Sequence, residues 1–584
     1  MTARWAREAS TPLWPTLLYL ATALVGVWAA YDRPAALARF ALLTLGLIAA
    51  IGIGRLAQRR GGDGGGVFVA AAVVAAAIGV YYVLAYDPVA SGSLRFWALQ
   101  RILLRIQTHR PALPLAPLHK NAAGGALAVL LPFALVALYW AWSKRRWGWL
   151  AIVATTLLIA LTAFILVASR GAWLGFSLGI LAAAFLYVWS TSLRSASGRA
   201  ASALGWAGPL VLVGLPLAGL LTFAAALTIP RFYGLLLLPT RVGGLESLTR
   251  VQIWWDAVTL IEDYPLTGSG LGSTAMVYSS YVRLLSVPYF SHMHNLYLQL
   301  AVEQGLPGLL AFLWLVGSAL QRLIVGAMHE RSASVSRLAA LASLVALLAH
   351  GMLDAQLFVS PLVPLVFLPL GCALALSAPD APSDTSTVRA SRASSLAFLW
   401  PWGVTTVALT AVVLLPGARS RLVSNLAAVM QTRAELSVYT FQEWGFQDAV
   451  RRARVDDLGP ALAAYQLALD YDPTDAVANR RLGQIELSLG RYDLAGQHLE
   501  AAYRANPLPR PAGLLLGEYY VTRGEIQAAV RLWSTTMDVR EEYLKTRQAW
   551  YEHIGEHEVA QRFSTAVTAL FADQPSPEGV KAGS

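Results

Sequence analysis

The sequence predicts an all-α protein in two parts: a polytopic membrane bundle of about eleven helices followed by a C-terminal α-solenoid. Three observations carry this. The 584 residues are 56% hydrophobic and 14% charged, against about 25% charged in an ordinary soluble domain. Mean hydropathy is +0.52, and apolar runs of about 20 residues, the length of a membrane crossing, recur along the chain. After Pro416 the apolar runs stop, charge becomes frequent and a repeat period emerges.

The runs are 13–30, 36–54, 67–86, 123–142, 149–169, 173–189, 204–227, 306–320, 338–357, 359–376 and 397–415. The first is too long, and too poorly followed by small residues, for a cleavable signal, so it reads as retained. Lys and Arg favour short cytoplasmic loops. A cytoplasmic N-terminus puts Arg4, Arg7, "RLAQRRGG", "SKRRW", "RSASGR", "HERSASVSR" and "RASR" inside. An odd number of crossings then sends the C-terminus to the outer side. Arg95, Arg101, Arg105, Arg110, Arg231, Arg241, Arg250 and Arg283 break the rule. Either the orientation is reversed or these arginines serve the outer face. The predicted layout is a membrane domain at 1–378 with a large outer loop at 228–305, a cytoplasmic Pro/Ser/Thr-rich linker at 379–395, a further crossing at 396–416, and an outer domain at 417–584. The net charge of +11 is spread over many loops, which fits lipid headgroups or an anionic substrate and excludes nucleic acid as a partner. The single cysteine, Cys372, has no disulfide or metal partner and reads as buried filler.

In the tail, Gly483 and Gly517, Leu482 and Leu516, Gly490 and Gly524, Pro473 and Pro507, and Ala461, Ala495 and Ala529 recur with a period of 34. This pattern resembles tetratricopeptide repeats, in which small residues let paired helices pack closely. It implies either a dock for a protein partner or a structural cap. The linker makes it an appended module, expected to be removable from about Arg421 onward without loss of the membrane fold.

Candidate chemistry concentrates on the predicted outer face. "LRFWALQRILLRIQTHRP" reads as an interfacial helix with snorkelling arginines. "VASRGAWLGF" puts Arg170 between two apolar runs, where an arginine either reaches the headgroups or meets an anion in a polar cavity. "ESLTRVQIWWDAVTLIE" has helical spacing, with Arg250 and Trp254 one turn apart. In "DYPLTGSGLGS", Gly268, Gly270 and Gly272 superficially suggest a nucleotide loop, but no strand precedes them, so they read as a tight bend. "SHMHNLYLQL" holds two of the nine histidines. Arginine forks hold phosphate oxygens, and a histidine near its ordinary pKa accepts a proton at neutral pH. No acidic pair in these loops has metal-ligand spacing, so neither metal nor cofactor is expected.

"SRGAWLGF", the stretch from Arg250 to Gly272, and "HMHNLYLQLAVEQGLPG" together resemble the O-antigen ligase superfamily of polytopic glycosyltransferases, and "HKNAAGGALAVLLP" resembles a further segment of it. The resemblance implies a lipid-dependent glycosyltransferase-like membrane fold in the cytoplasmic membrane. It also implies transfer of a glycan from a polyprenyl-diphosphate donor to a hydroxyl of a glycan, lipid or protein acceptor on the outer side. Arg170 and Arg250 would hold the diphosphate and join His294, the proton acceptor, as catalytic residues. Read from the residues themselves rather than from the resemblance, His292, Asn295, Glu246, His350 and Asp354, an acid near the end of an apolar run, are supporting groups. Ligase, repeat-unit polymerase and protein O-oligosaccharyltransferase all remain open. A non-enzymatic scaffold or transporter is the reading from outside catalysis.

Overall fold

The computed structural model describes residues 13–59, 65–88, 90–91, 97–110, 114–195, 241–242, 248–285, 292–329, 335–375, 417–438, 447–453 and 457–572. These are overwhelmingly helical. A two-residue antiparallel pair, Arg241–Val242 with Leu248–Thr249, is the exception among them. Among the described residues, six helices are long and apolar enough to cross a membrane, and Trp14–Ala29, Val335–Gly351 and Pro364–Ala373 are shorter apolar helices. All the apolar runs coincide with helices except 204–227 and 397–415, which lie outside the described residues together with the 379–395 linker.

The chain divides into two compact units. The first comprises Met1–Trp28, Pro34–Trp254 and Ser291–Thr385; the second comprises Ala29–Arg33, Trp255–Phe290 and Ser386–Ser584. The division differs from the linear one read from sequence. Of the 228–305 segment, read from sequence as an outer loop, residues 255–290 group with the C-terminal helices.

In the first unit the Lys120–Ser143 helix is central, 83% buried across its apolar window. It packs against Gly65–Leu84, Trp147–Leu166, Arg170–Ser195 and Val335–Gly351. The Arg170–Ser195 and Val335–Gly351 helices approach closely. A Cβ on Gly175 would stand 2.7 Å from the Ala346 carbonyl, and one on Gly179 would collide with the Ala342 carbonyl. The 338–357 run, expected as one crossing, is interrupted. Its helix ends at Gly351, and a separate turn, Gln356–Val359, follows. The polar cause is Asp354, whose Oδ1 accepts from the Gln356 amide at 2.7 Å. The 306–320 run, by contrast, is extended backward. The helix spans Leu296–His329 and kinks at Gly305 (φ 69°), two residues before Pro307. Asn295 caps its start, with Oδ1 accepting from the amides of Tyr297 and Leu298 at 2.9 and 3.0 Å. The predicted interfacial segment forms the Trp97–His109 helix, with Leu103 buried and Arg101 stacked 4.3 Å from the Trp97 ring centroid.

In the second unit the helices after Gly417 pair as hairpins. Ala476–Ser488 packs on Tyr492–Ala505, Arg510–Thr522 on Ile526–Thr535, and Glu541–His553 on His557–Phe571. Gly490, Gly524 and Gly555 turn these hairpins with φ of 78°, 80° and 81°, which explains the glycine positions in the repeat. The bend predicted at 268–272 is present. Gly270 has φ 105°, and a Cβ there would meet the Ala30 backbone.

The glycine seam generates a direct test. Gly179→Ala should destabilise the protein by about 1–3 kcal/mol through overpacking. Gly317→Ala, where nothing lies within 4 Å of the added Cβ, should leave it unchanged or slightly more stable. Thermal unfolding in detergent reads both; an equal response in the two variants would contradict the seam.

Candidate active site

The site is organised by a carboxylate. Asp354 is 3% exposed, and burying a carboxylate is costly unless donors surround it. Asn121 Nδ2 donates to its Oδ2 at 2.6 Å, His294 Nδ1 lies 3.2 Å from the same oxygen, and the Gln356 amide takes Oδ1. Arg250 Nη2 and His292 Nε2 each lie 3.9 Å from Oδ2. Asn121 is itself oriented, since its Oδ1 accepts from Ser169 Oγ at 3.0 Å. Burial alone would raise the Asp354 carboxyl, but the two facing histidine rings more than reverse it and hold it well below the ordinary carboxylate range.

His294 is buried and has φ 49°, a left-handed conformation uncommon outside glycine. Its surroundings fix it there. Gln299 Oε1 accepts from the Met293 amide at 2.8 Å, and Asn295 Nδ2 donates to the Met352 carbonyl at 3.1 Å. Gln299 in turn donates to Glu303 Oε1 at 2.8 Å, and Arg39 Nη2 stands 3.4 Å from Glu303 Oε2. Arg39 also donates to the carbonyls of Phe358 and Val359 at 3.1 and 3.3 Å. The His292 and His294 rings lie 4.0 Å apart. Burial and His292 push His294 down to about 3, more than Asp354 pulls it up. A neutral imidazole that donates from Nδ1 to a carboxylate carries its lone pair on Nε2, the arrangement of a general base.

The residues read from sequence fare unevenly. His294, His292, Arg250 and Asp354 come together. Asn295 is nearby as the helix cap. Arg170 is exposed at the first position of its helix, and its neighbour Ser169 is the one that joins the Asp354 network. Glu246 lies outside the described residues. His350 is buried against Gly125 and Gly171. Sequence reasoning missed Asn121, Ser169 and Gln299, and it missed the acid within an apolar run, Glu303, for which position alone was a signal.

His292, His294 and Asp354 offer ligand atoms within 4.8 Å of one another, a cluster that the loop-by-loop search for acidic pairs did not anticipate. Oδ2 already accepts a short bond from Asn121, and the Arg250 guanidinium brings its fixed positive charge to 3.9 Å from that oxygen.

Residues 155–313 match the family described as O-antigen ligase. No curated protein and no solved structure matches the chain. The match supports a membrane glycosyltransferase of the O-antigen ligase and polymerase type. It contains Arg170, Arg250, His292, His294 and Glu303, while Asp354 and Asn121 lie beyond it.

Neutral burial of His119 and His294 has a pH consequence. His119, whose Nδ1 accepts from the Asn121 amide at 3.2 Å, is pushed by burial from 6.5 down to about 4. His119 and His294 therefore stay unprotonated in the fold while the unfolded chain takes up protons below 6.5. Stability should be full above that pH and fall as pH drops toward 4, by up to about 1.4 kcal/mol per pH unit for each group. Melting temperature measured from pH 7.5 to 4.5 reads this. His119→Asn, which keeps a capping side chain, should flatten the slope; an unchanged slope would contradict the assignment.

Proposed function

We propose that the protein transfers a glycan from a polyprenyl-diphosphate donor to an acceptor hydroxyl at the outer face of the cytoplasmic membrane, with His294 as general base. The observation that carries this is the buried pairing of His294 Nδ1 with Asp354 Oδ2 at 3.2 Å, with Arg250 beside the same carboxylate. The acceptor O–H gives its proton to His294 Nε2, and the oxygen bonds to the anomeric carbon of the donor sugar. The anomeric carbon–oxygen bond to the diphosphate breaks, and the leaving diphosphate keeps the electron pair. Asp354 holds the tautomer and stabilises the imidazolium without taking the proton.

A diphosphate gains charge as it leaves, so a cation beside it stabilises the transition state more than the ground state. Arg250 is the first choice for this role. Its side chain is 22% exposed, and a guanidinium has donors enough to bridge a carboxylate and a phosphate. Arg170, at the exposed start of its helix, supplies the second cation. The incoming anionic donor also raises the basicity of His294 from its resting state.

The reaction as proposed needs no metal. The N-terminus is cytoplasmic and the hairpin array, of tetratricopeptide type, is extracytoplasmic. Ligation to a lipid or glycan acceptor is the leading form. Incubating the purified protein with a polyprenyl-diphosphate glycan and separate lipid, glycan and protein acceptors identifies which one is glycosylated; transfer to none of them would sink the proposal.

His294→Ala should lower kcat by about a hundredfold to ten-thousandfold with donor affinity within about threefold, since a neutral base holds no phosphate. Donor binding by titration and single-turnover transfer separate the two, and full activity of the variant would remove His294 from the role. Arg250→Ala should instead weaken both donor binding and transfer, by about tenfold or more. EDTA treatment should leave the rate unchanged; a loss restored by a divalent ion would reassign the histidine cluster as a metal centre.

A further inference from the structure

The hairpin helices of the second unit are already engaged by a peptide, and that peptide is part of the same chain. Asp263, fully buried, pairs through its two oxygens with Arg480 and Arg481, the latter at 2.6 Å. The Arg481 guanidinium also lies 3.7 Å from the centroid of the Tyr281 ring. Tyr281 donates to Glu435 at 2.8 Å. Asn425 reads the main chain, with Oδ1 accepting from the Leu266 and Thr267 amides at 2.9 and 3.2 Å and Nδ2 donating to Thr267 Oγ1 at 2.8 Å. Arg510 donates to the Val282 carbonyl at 3.1 Å, and Arg283 pairs with Asp538 at 2.7 Å. The π-helical turn Ser279–Arg283 is buried throughout, and Leu284 after it joins the cluster of Leu487, Leu514 and Leu515.

The array thus holds this segment by an amide and a guanidinium on its backbone, ion pairs at Asp263 and Arg283, and an apolar anchor at Leu284. The segment also contributes to the burial pattern. The Ala476–Ser488 helix is buried without a break from Ala478 to Ser488, whereas its partner Tyr492–Ala505 buries only Ala495, Gly496, Leu499 and Ala502. The first helix meets its hairpin partner, the helices Gly459–Tyr471 and Gln447–Ala453, and, through Arg480 and Arg481, the loop. Without the loop, Arg480, Arg481 and Arg510 lose the Asp263 carboxylate and the Val282 carbonyl.

We propose that the ligand of the C-terminal array is the chain's own segment 263–285, so that the array clamps the loop running from Arg250 to His294 in sequence and is not a dock for a separate protein. The clamp stands apart from the reaction proposed above; only its effect on rate rests on that reading.

The test uses the full chain with a protease site placed directly after the predicted 396–416 crossing, purified in detergent and cut after purification. The proposal expects the C-terminal fragment to stay bound through gel filtration and transfer activity to be kept. Asp263→Asn with Tyr281→Ala, both on the loop and neither on the array, should release the fragment about a hundredfold faster or leave its helices newly sensitive to trypsin. Either result shows dependence on the loop. Spontaneous separation of the uncut-loop protein overturns the proposal, as does equal retention of an equally trypsin-resistant fragment by the double variant. As a second arm, a fluorescent peptide of residues 263–285 should not bind the intact protein and should bind the double variant; binding to the intact protein at the same affinity also overturns it. Because association is read without catalysis, retention with no glycan transfer would indict the proposed reaction and leave the clamp standing.

Discussion

A carboxylate out of water dictates the arrangement around it. Asp354 is buried, and an ionised carboxylate in that position persists only where several donors converge. Those donors come from remote parts of the sequence: the start of the Lys120–Ser143 helix, the loop before Leu296, the start of the Arg250–Asp263 helix and the turn after Asp354 itself. Each therefore has to begin or end where it does. The break in the 338–357 run is the clearest case. Continuous helix through Asp354 would suit the apolar residues on either side, and the polar demand of one side chain overrides them.

The same constraint sets the chemistry. A buried histidine beside a carboxylate is pulled both ways: burial favours the neutral ring and the anion favours the cation. Here burial and the adjacent His292 prevail, giving a neutral imidazole oriented through its Nδ1. The backbone is held to the same purpose. His294 adopts a left-handed conformation that unaided sequence would avoid, and the bonds from Met293 to Gln299 and from Asn295 to Met352 hold it there.

What was legible in the sequence was what is local. Apolar runs located the helices because burial in lipid is a property of each segment taken alone. The period of 34 located the hairpins because Gly490 and Gly524 serve turns of the same geometry. His294 and Arg250 stood out as polar groups in a short, unusual context. Asp354 was noticed only as an acid near the end of an apolar run, since nothing near it in sequence reveals the Asn121 amide 233 residues away. The division of the 228–305 segment between the two units was equally hidden. Asp263 is 217 and 218 residues from its arginine partners, and such pairs leave no periodic trace. The sequence reads the array as a module joined through the Pro/Ser/Thr-rich linker, and the segment 255–290 that groups with it lies in the interior of the chain.

The central claim is that Asp354 acts on the reaction through the tautomer of His294. Asp354→Asn tests it most directly, because the amide preserves shape and burial while its NH2 can meet Nδ1 only in the wrong tautomer. With unfolding temperature and donor affinity matched to the unsubstituted protein, the account predicts a fall in kcat of about a hundredfold or more, comparable to removing a general base. A folded Asp354→Asn variant that transfers glycan at the original rate would contradict it.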